Sequence, residues 1–291
     1  HRRFGTAKWR LDRNDARLAA AINDRQDLPA SLDLVSARAE FYAHPTALPS
    51  VQLGSIKLDL HRRDFSINTL AVRLDGSHFG QLLDPWGGGR DLGLRQIRAL
   101  HSISFIDDPT RVLRAVRLEQ RLGFEIEPRT LELVRQALPL LHRVSGERLR
   151  NEIELIFEES RLPEMMARLS DLGVLGAIEA RLTWDAWLEN RFAAAAAFLP
   201  DPAWRLKSVP SSMQLRYALW SIRLGPEPAG GLGERLRLPQ GDQRMMAEAA
   251  ALLHDRQAWA ADLPVSRRVH RLEIAPEASV VAAWIALADE A

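Results

Sequence analysis

The sequence predicts an α+β protein, in which a small mixed sheet with short helices is followed by an all-helical remainder. Residues 1 to about 100 alternate between short strand-like and short helical segments, whereas nearly every segment after Asp108 has the periodicity of an amphipathic helix. The chain has 291 residues, of which 46% are apolar and 26% charged. That composition is typical of a globular protein and excludes a disordered one, and the length is typical of two domains.

The elements of the first part are short. Extended segments are predicted at residues Phe4–Leu11, Ser31–Ala37, Ala71–Leu74 and Ile97–Leu100. A helix is predicted over Phe65–Leu70, with Asp64 as its N-cap.

The second part is predicted to be helical with two loops. Helices are expected over Pro128–Leu138, Gly146–Glu159, Leu162–Leu175 and Trp184–Phe198. Loops are expected at Ser208–Pro210 and Gly225–Gly233.

Composition also limits the class of protein. There are no cysteines, which excludes disulfides and thiolate metal sites. No signal peptide and no run of 18 apolar residues is present, so we expect a cytoplasmic protein without a membrane partner. The formal net charge of +1 argues against indiscriminate electrostatic binding of nucleic acid, although basic residues can still cluster locally.

Three charged clusters follow one another within a short part of the chain. They are Arg62–Asn68, Asp84–Leu92 and Asp107–Arg117. Arginine forks bind phosphates, and an aspartate beside an arginine offers an acceptor and a donor to a nucleobase. Together the clusters predict a nucleotide site.

The third cluster predicts a helix from Thr110 to about Leu122, with Asp108 as its N-cap and Pro109 at its first position. At 100° per residue, one sector of about 120° contains four arginines. These are Arg111, Arg114, Arg117 and Arg121, and the opposite side contains Val112, Leu113 and Val116. A solvated basic face is the alternative for such a stripe when it stands alone.

Five motifs in order carry a family resemblance. They are Arg62-Arg63-Asp64-Phe65-x-x-Asn68, Asp84-Pro85-x-Gly87-Gly88-x-x-Asp91-Leu92, Asp107-Asp108-Pro109-x-Arg111-x-x-Arg114-Ala115-x-Arg117, Leu122-Gly123-Phe124-x-Ile126-Glu127-Pro128 and Ser145-Gly146-Glu147-Arg148-x-x-x-Glu152. In this order they resemble the tRNA nucleotidyltransferase/poly(A) polymerase family, the class II CCA-adding and A-adding enzymes. The resemblance covers roughly residues 4 to 160. It implies a partial nucleotidyltransferase-type head over residues 1–100, a helical neck with the base-reading helix over 101–160 and a helical, RNA-binding body over 161–291.

The resemblance also implies roles for individual residues. Arg63 matches a triphosphate contact, Asp64 and Asn68 match positions around the ribose and the head–neck contact, and Arg114 and Arg117 match further nucleotide contacts. Asp108 and Arg111 match the pair that reads the edge of the incoming base. The Gly87–Gly89 turn and Asp91 match a flexible segment that helps to orient the base-reading helix, although an ordinary turn and a helix cap explain them equally well.

One feature of the family is missing. The resemblance implies two Mg²⁺ ions held by an upstream Asp-x-Asp pair, and this sequence contains no Asp-x-Asp. Asp33 matches a third carboxylate and alone is too little for a two-metal site. We therefore expect this chain to be a fragment of a larger protein and inactive by itself; a degenerate relative is the alternative.

The expected function is template-independent addition of AMP and/or CMP to the 3′ end of tRNA or a related RNA, with ATP and/or CTP as substrates. The RNA 3′-hydroxyl attacks the α-phosphate and releases pyrophosphate. The product (CCA, a single A or an A tail) and the oligomeric state stay open. The alternative is a non-catalytic nucleotide- or RNA-binding module derived from the same fold.

Two features of the C-terminal half favour ordinary structure. The sequence there contains six of the eight tryptophans: Trp184, Trp187, Trp204, Trp220, Trp259 and Trp284. Their spacing favours packing between helices over stacking on RNA bases. His254-Asp255 lacks the further histidines that a metal phosphohydrolase needs, which predicts a helix-surface pair.

Overall fold

The computed structural model describes residues 5–12, 29–41, 50–204, 206–255 and 264–288. Within them the α-helices are α1 (Ile56–His61), α2 (Gly88–Gly93), α3 (Ser104–Asp107), α4 (Arg111–Leu122), α5 (Pro128–Ala137), α6 (Gly146–Phe157), α7 (Leu162–Asp171), α8 (Val174–Ile178), α9 (Ala186–Ala196), α10 (Ser212–Ser221), α11 (Pro226–Arg235), α12 (Gln240–His254), α13 (Val265–Glu273) and α14 (Glu277–Leu287). Short 3₁₀ turns lie at Ser66–Thr69, Gly76–His78, Leu138–Arg143, Pro202–Trp204 and Ile222–Leu224. None of these helices has the length and apolar run needed to span a bilayer.

The strands form four separate two-stranded sheets in the described residues. They are β1 (Thr6–Arg10), β2 (Ser31–Val35), β3 (Arg38–Phe41), β4 (Ser50–Leu53), β5 (Ala71–Val72), β6 (Leu82–Leu83), β7 (Gln96–Ile97) and β8 (Glu125–Ile126). The first three pairs are antiparallel, and β7 pairs with β8 in parallel. The α+β class is confirmed, but the strand pairs do not join into a single mixed sheet.

The segment after the first arginine cluster differs from the predicted helix. A 3₁₀ turn covers Ser66–Thr69, and its N-cap residue is Phe65, which makes no side-chain cap hydrogen bond. Asp64 Oδ1 accepts instead from the Phe65 backbone N–H and from Asn68 Nδ2. The Asp64 cap prediction is therefore wrong, because the carboxylate accepts from the Phe65 N–H and from the Asn68 side chain and from no backbone N–H of the turn itself.

The arginine-bearing helix begins at Arg111, one residue after the predicted Thr110. Its N-cap is Thr110, because the Asp108 carboxylate accepts from the Thr110 backbone N–H at 3.0 Å and closes a turn before the helix. The predicted apolar face is confirmed. Its three residues, Val112, Leu113 and Val116, have no solvent exposure.

Two predictions in the helical part are wrong, and glycine explains both. The helix expected over Leu162–Leu175 ends at Asp171, because Gly173 adopts a left-handed φ of 77° before α8. The loop expected over Gly225–Gly233 is helix α11. A Cβ on Gly233 would lie 3.2 Å from Gln243 Cα, so this glycine allows α11 and α12 to approach closely.

One hydrophobic cluster extends from Phe65 and Ile97 through α4 and α6 to Ile285 in α14. The predicted apolar face of α6 (Leu149, Ile153, Ile156 and Phe157) belongs to it. Trp184 and Trp220 pack in the same cluster, which confirms the packing interpretation for these two residues.

The other tryptophans are more varied. Trp187 packs beneath two arginine side chains, and Trp204 lies 5.0 Å from the half-exposed ring of Trp284. Trp259 lies outside the described residues. His254 is exposed and hydrogen-bonds the Ala250 carbonyl, as expected for a helix-surface pair.

Candidate nucleotide site

A polar cavity of about 380 Å³ lies where the segment after α1 meets helix α4. Its lining residues are Glu40, Arg62, Arg63, Asp64, Asn68, Asp108, Arg111 and Arg114. The structure therefore brings together six of the seven residues predicted to contact nucleotide. Arg117 is the exception: it does not line the cavity, and its guanidinium lies 3.9 Å from Glu152 Oε2.

Arg62 is part of a structural ion-pair network. Its guanidinium donates to Asp59 Oδ1 at 2.9 and 3.1 Å and to Glu40 Oε1 at 2.9 Å. Although burial tends to raise the pKa of the Asp59 carboxyl, hydrogen bonds and charge from Arg62 hold that pKa below its ordinary value. Arg62 thus fixes the end of α1 against β3.

Arg63 is held much more loosely. Its two contacts are long, 3.3 Å to the Asn68 carbonyl and 3.5 Å to Asp59 Oδ2, and its side chain is 44% exposed. A guanidinium in this state can exchange weak contacts for a phosphate. Its position fits the triphosphate contact that the sequence predicts.

Asp64 links the two sides of the cavity. Its Oδ2 accepts from Arg114 at 3.1 Å, while Oδ1 accepts from Asn68. Burial alone would raise the pKa of this carboxyl, but the Asn68 hydrogen bond and the charge of Arg114 lower it below 3.8. Asp64 is therefore ionised at neutral pH and orders both side chains.

Arg114 lies between two carboxylates. Besides Asp64 it contacts Glu152 Oε1 on α6 at 2.6 Å. Burial tends to lower the pKa of the guanidinium, and the charges of Glu152 and Asp64 raise it above its ordinary value. Arg114 and Arg117 share Glu152, so this part of the arginine stripe is covered by α6 and the solvated-face alternative is excluded for it.

Asp108 lines the cavity, and the contacts of its side chain within the described ranges all involve one carboxylate oxygen, Oδ1. Oδ1 accepts from Thr110 N–H at 3.0 Å and Thr110 Oγ1 at 2.5 Å, and lies 2.6 Å from a guanidinium nitrogen of Arg148 on α6. No residue in the described ranges donates a hydrogen bond to Oδ2. The carboxylate is thus fixed in orientation with one acceptor left.

Arg111 is directed to protein groups. Its guanidinium donates to the Arg62 carbonyl at 2.8 Å, the Arg63 carbonyl at 3.4 Å and Ser104 Oγ at 2.5 Å. The residue is only 5% exposed. In this structure Arg111 joins α4 to the Arg62–Arg63 backbone, and the predicted joint presentation of Asp108 and Arg111 to a base is not formed.

The glycine segment packs beneath the site. Gly87 begins α2 with a left-handed φ of 72°, and a Cβ on Gly88 would collide with the Ser66 carbonyl oxygen. Asp91 lies inside α2, where it accepts from Ser66 Oγ at 2.5 Å and from Arg98. The helix-cap alternative for Asp91 is wrong, because its carboxylate binds the turn that follows Phe65.

The residues present do not fit a two-metal site. Asp33 lies on β2 with 68% of its side chain exposed, and Lys8 lies 3.8 Å from its carboxylate. Searched over the described ranges, His, Asp and Glu side chains form no group of three that could hold a metal ion. A cation adjacent to a lone carboxylate disfavours Mg²⁺ there, so Asp33 as a metal ligand stays a prediction without structural support.

Several residues that build the site were not predicted from the sequence. Glu40 and Arg62 line the cavity, and Asp59, Arg148 and Glu152 hold its charged groups. Arg148 and Glu152 belong to the fifth motif, and their i, i+4 spacing places both on one helical face. This spacing was the feature of the sequence that could have identified Arg148 and Glu152 as parts of the site.

Two family models match parts of this chain. Residues 5–98 match the sequence model of the poly A polymerase head domain. Residues 123–178 match that of the probable RNA and SrmB-binding site of polymerase A. The chain therefore belongs to the tRNA nucleotidyltransferase/poly(A) polymerase family.

Curated relatives are named as tRNA nucleotidyltransferases. An A-adding tRNA nucleotidyltransferase of Geobacter sulfurreducens is 48% identical over 153 residues, which are 52% of this chain and 17% of the relative. One of Halalkalibacterium halodurans is 40% identical over 201 residues, or 68% of this chain and 42% of the relative. A CC-adding tRNA nucleotidyltransferase of Geobacter sulfurreducens is 42% identical over 128 residues, 44% of this chain and 29% of the relative. The chain thus spans less than half the length of each of these proteins.

Solved structures share the fold. The apo form II of a CCA-adding enzyme superposes with a TM-score of 0.70 at 30% identity, over 88% of this chain and 61% of that one. The Thermotoga maritima CCA-adding enzyme complexed with tRNA gives a TM-score of 0.61 at 30% identity, over 79% and 57%.

Proposed function

We propose that this chain forms the nucleotide-selecting and RNA-binding part of an RNA nucleotidyltransferase that adds AMP to the 3′ end of tRNA. The observation that carries the proposal is the cavity in which Arg63, Asp64, Asn68, Asp108 and Arg114 converge. Its wall combines a loosely held arginine with a fixed aspartate, which suits the two ends of a nucleoside triphosphate.

The phosphate end is assigned to Arg63, with Arg114 as a second cation. The long contacts of Arg63 cost little to break, whereas Arg114 is already paired with Asp64 and Glu152. Arg63 therefore supplies most of the attraction to phosphate, and Arg114 mainly orders the wall.

The base end is assigned to Asp108. An ionised carboxylate oxygen only accepts hydrogen bonds, so Oδ2 favours a base with an exocyclic amino group. Adenine and cytosine carry such a group, whereas guanine and uracil present a carbonyl oxygen at the corresponding place. ATP and CTP are thus preferred over GTP and UTP without a nucleic-acid template.

The choice of AMP rests on the relatives. A-adding proteins match at 40–48% identity and CCA-adding enzymes at 29–32%. CC-adding proteins at 42% support CMP as the second candidate. The domain boundaries at residues 100 and 160, and the cytoplasm as location, stay predictions.

The chemistry expected of the whole protein is attack of the RNA 3′-hydroxyl on the α-phosphate, with release of pyrophosphate. The family typically uses Mg²⁺ for this step. The residues described here bind and orient the nucleotide, and the metal-holding carboxylates are not assigned among them.

The test incubates the protein that carries this chain with tRNA ending in CC and with tRNA lacking the whole CCA end, each with single triphosphates. Sequencing of the products should show one A added to the CC end. Addition of C would favour the second candidate. A wild-type chain that binds no triphosphate would support a non-catalytic RNA-binding module instead.

A further inference from the structure

Helix α6 presents a pair of opposite charges to the arginine-bearing helix α4. Arg148 and Glu152 are four residues apart, so they lie on one face of α6. Arg148 contacts Asp108 at 2.6 Å, and Glu152 contacts Arg114 at 2.6 Å. The two ion pairs connect the fifth motif to both ends of the proposed nucleotide cavity.

The Arg148–Asp108 pair is well protected from solvent. The Arg148 side chain is 21% exposed and that of Asp108 is 15% exposed. Pairs of this kind are screened less than surface pairs and restrict the orientation of both side chains. Arg148 does not line the cavity, so its effect on a bound base must pass through Asp108.

The effect of Arg148 depends on which oxygen of the Asp108 carboxylate it contacts. Arg148 and Thr110 both hold Oδ1, so Oδ2 is the oxygen of this cavity-lining carboxylate that has no donor among the described residues. A carboxylate without this restraint can rotate about its terminal torsion, which is broad, and then offers its oxygens over a range of directions. A flexible acceptor discriminates poorly between an amino group and a carbonyl group.

We propose that Arg148 is a positioning residue for base selection, which fixes the Asp108 carboxylate so that one oxygen meets the amino group of ATP or CTP. This proposal rests on the proposed function. Arg148 sets selectivity between nucleotides, whereas Arg63 sets their overall affinity.

The experiment measures equilibrium binding of ATP, CTP, GTP and UTP to the 291-residue chain and to three variants. Arg148→Met removes the charge and keeps much of the side-chain length, and Arg148→Lys keeps the charge. Arg129→Met is the matched control, because the Arg129 side chain is 71% exposed and forms a long ion pair, 3.8 Å, with Glu132 on its own helix. Urea unfolding of each variant reports whether the fold is intact.

We expect Arg148→Met to reduce the preference for ATP over GTP by about tenfold, the scale of one base contact. The ratio of the ATP and GTP dissociation constants should therefore change, which an equal weakening of both nucleotides would not produce. Arg148→Lys should recover much of the preference, and Arg129→Met should match the wild type. A purely structural role would weaken all four nucleotides together and would overturn the proposal.

These measurements also test the role of Arg148 separately from the proposed function. A wild-type chain that prefers ATP or CTP, with an equal preference in Arg148→Met, overturns the role of Arg148 and leaves the proposed function intact. A wild-type chain that binds no nucleotide overturns the proposed function and with it the role of Arg148. If Arg148→Met does not fold, Arg148→Lys is the deciding variant. A folded lysine variant that has no preference for ATP or CTP would contradict a role for the positive charge at this position.

Discussion

Arg62 and Arg63 are neighbours in the chain with opposite surroundings. Arg62 donates three hydrogen bonds to two carboxylates, whereas Arg63 makes two long contacts and is nearly half exposed. The same residue type therefore has two functions, which sequence alone does not separate. The geometry places Arg62 in the framework and leaves Arg63 loosely held, which supports the ligand role proposed for Arg63.

The first prediction concerns Arg63. Arg63→Ala should weaken ATP, CTP, GTP and UTP about equally, because a phosphate contact does not depend on the base. A charge-assisted hydrogen bond is worth roughly 1.5–3 kcal/mol, so the loss should be about tenfold or more. Equilibrium binding of all four nucleotides checks it, with Arg129→Ala as the control. A loss restricted to one nucleotide would contradict the phosphate role.

A second residue-scale prediction follows from Asp64. Since its pKa in the folded protein lies below the ordinary 3.8, the ionised carboxylate stabilises the fold above that pH. This contribution is lost as the pH falls through the folded-state pKa. We expect wild-type stability to decline below a pH of about 4, and Asp64→Asn to flatten that decline.

Urea unfolding at a series of pH values measures this slope. Arg114→Met serves as the partner variant, because removing the cation should flatten the slope in the same way. An Asp64→Asn profile with the wild-type slope would show that other carboxylates are responsible.

At the scale of elements, α2 depends on one glycine. Gly88 packs against the Ser66 carbonyl so closely that a Cβ cannot be accommodated without a backbone shift, whereas Gly93 on the same helix has nothing within 4 Å. We expect Gly88→Ala to cost about 1–3 kcal/mol and to loosen the Asp91–Ser66 contact. Gly93→Ala should be neutral or stabilising by up to about 1 kcal/mol.

Thermal and urea unfolding compare the two variants. Equal stability of Gly88→Ala and Gly93→Ala would contradict the close approach. Because the turn beneath the nucleotide cavity rests on α2, Gly88→Ala should also weaken nucleotide binding, and Gly93→Ala should not.

How well the elements could be predicted depended on whether local signals decide them. Helix α4 was predictable to within two residues, because its apolar face repeats at helical spacing and its acidic start is local. Helix α11 was not, since the glycines that indicated a loop serve contact with α12, which lies later in the chain. Gly173 ended α7 by a left-handed turn that an isolated glycine signals only weakly.

The residues around the cavity also divide into those that local motifs indicate and those that only tertiary packing brings to the site. Motif order brought six of the residues predicted to contact nucleotide to the lining of one cavity, and their role as nucleotide contacts stays a prediction. The partners that hold them were harder to identify. Glu152 and Arg148 lie about 40 residues from the groups they bind, and pairing over such a separation follows from tertiary packing.

At the scale of the whole molecule, the hydrophobic core of the described residues does not include the N-terminal hairpins. The core begins at Phe65, and no residue of the β1–β4 hairpins within the described ranges belongs to it. The nucleotide cavity is built mainly on elements anchored in that core. We therefore propose to measure nucleotide binding by this chain separately from transfer.

The last prediction is that the 291-residue chain binds ATP and CTP and yet adds neither to RNA. Phosphoryl transfer of this class needs several carboxylate oxygens around two metal ions. The sequence has no Asp-x-Asp, and Asp33 is paired with Lys8 on an exposed strand. Binding is measured by equilibrium dialysis, and transfer by gel analysis of labelled tRNA with Mg²⁺ or Mn²⁺ in excess. Robust 3′ addition by the purified chain would show that its own carboxylates hold the metals.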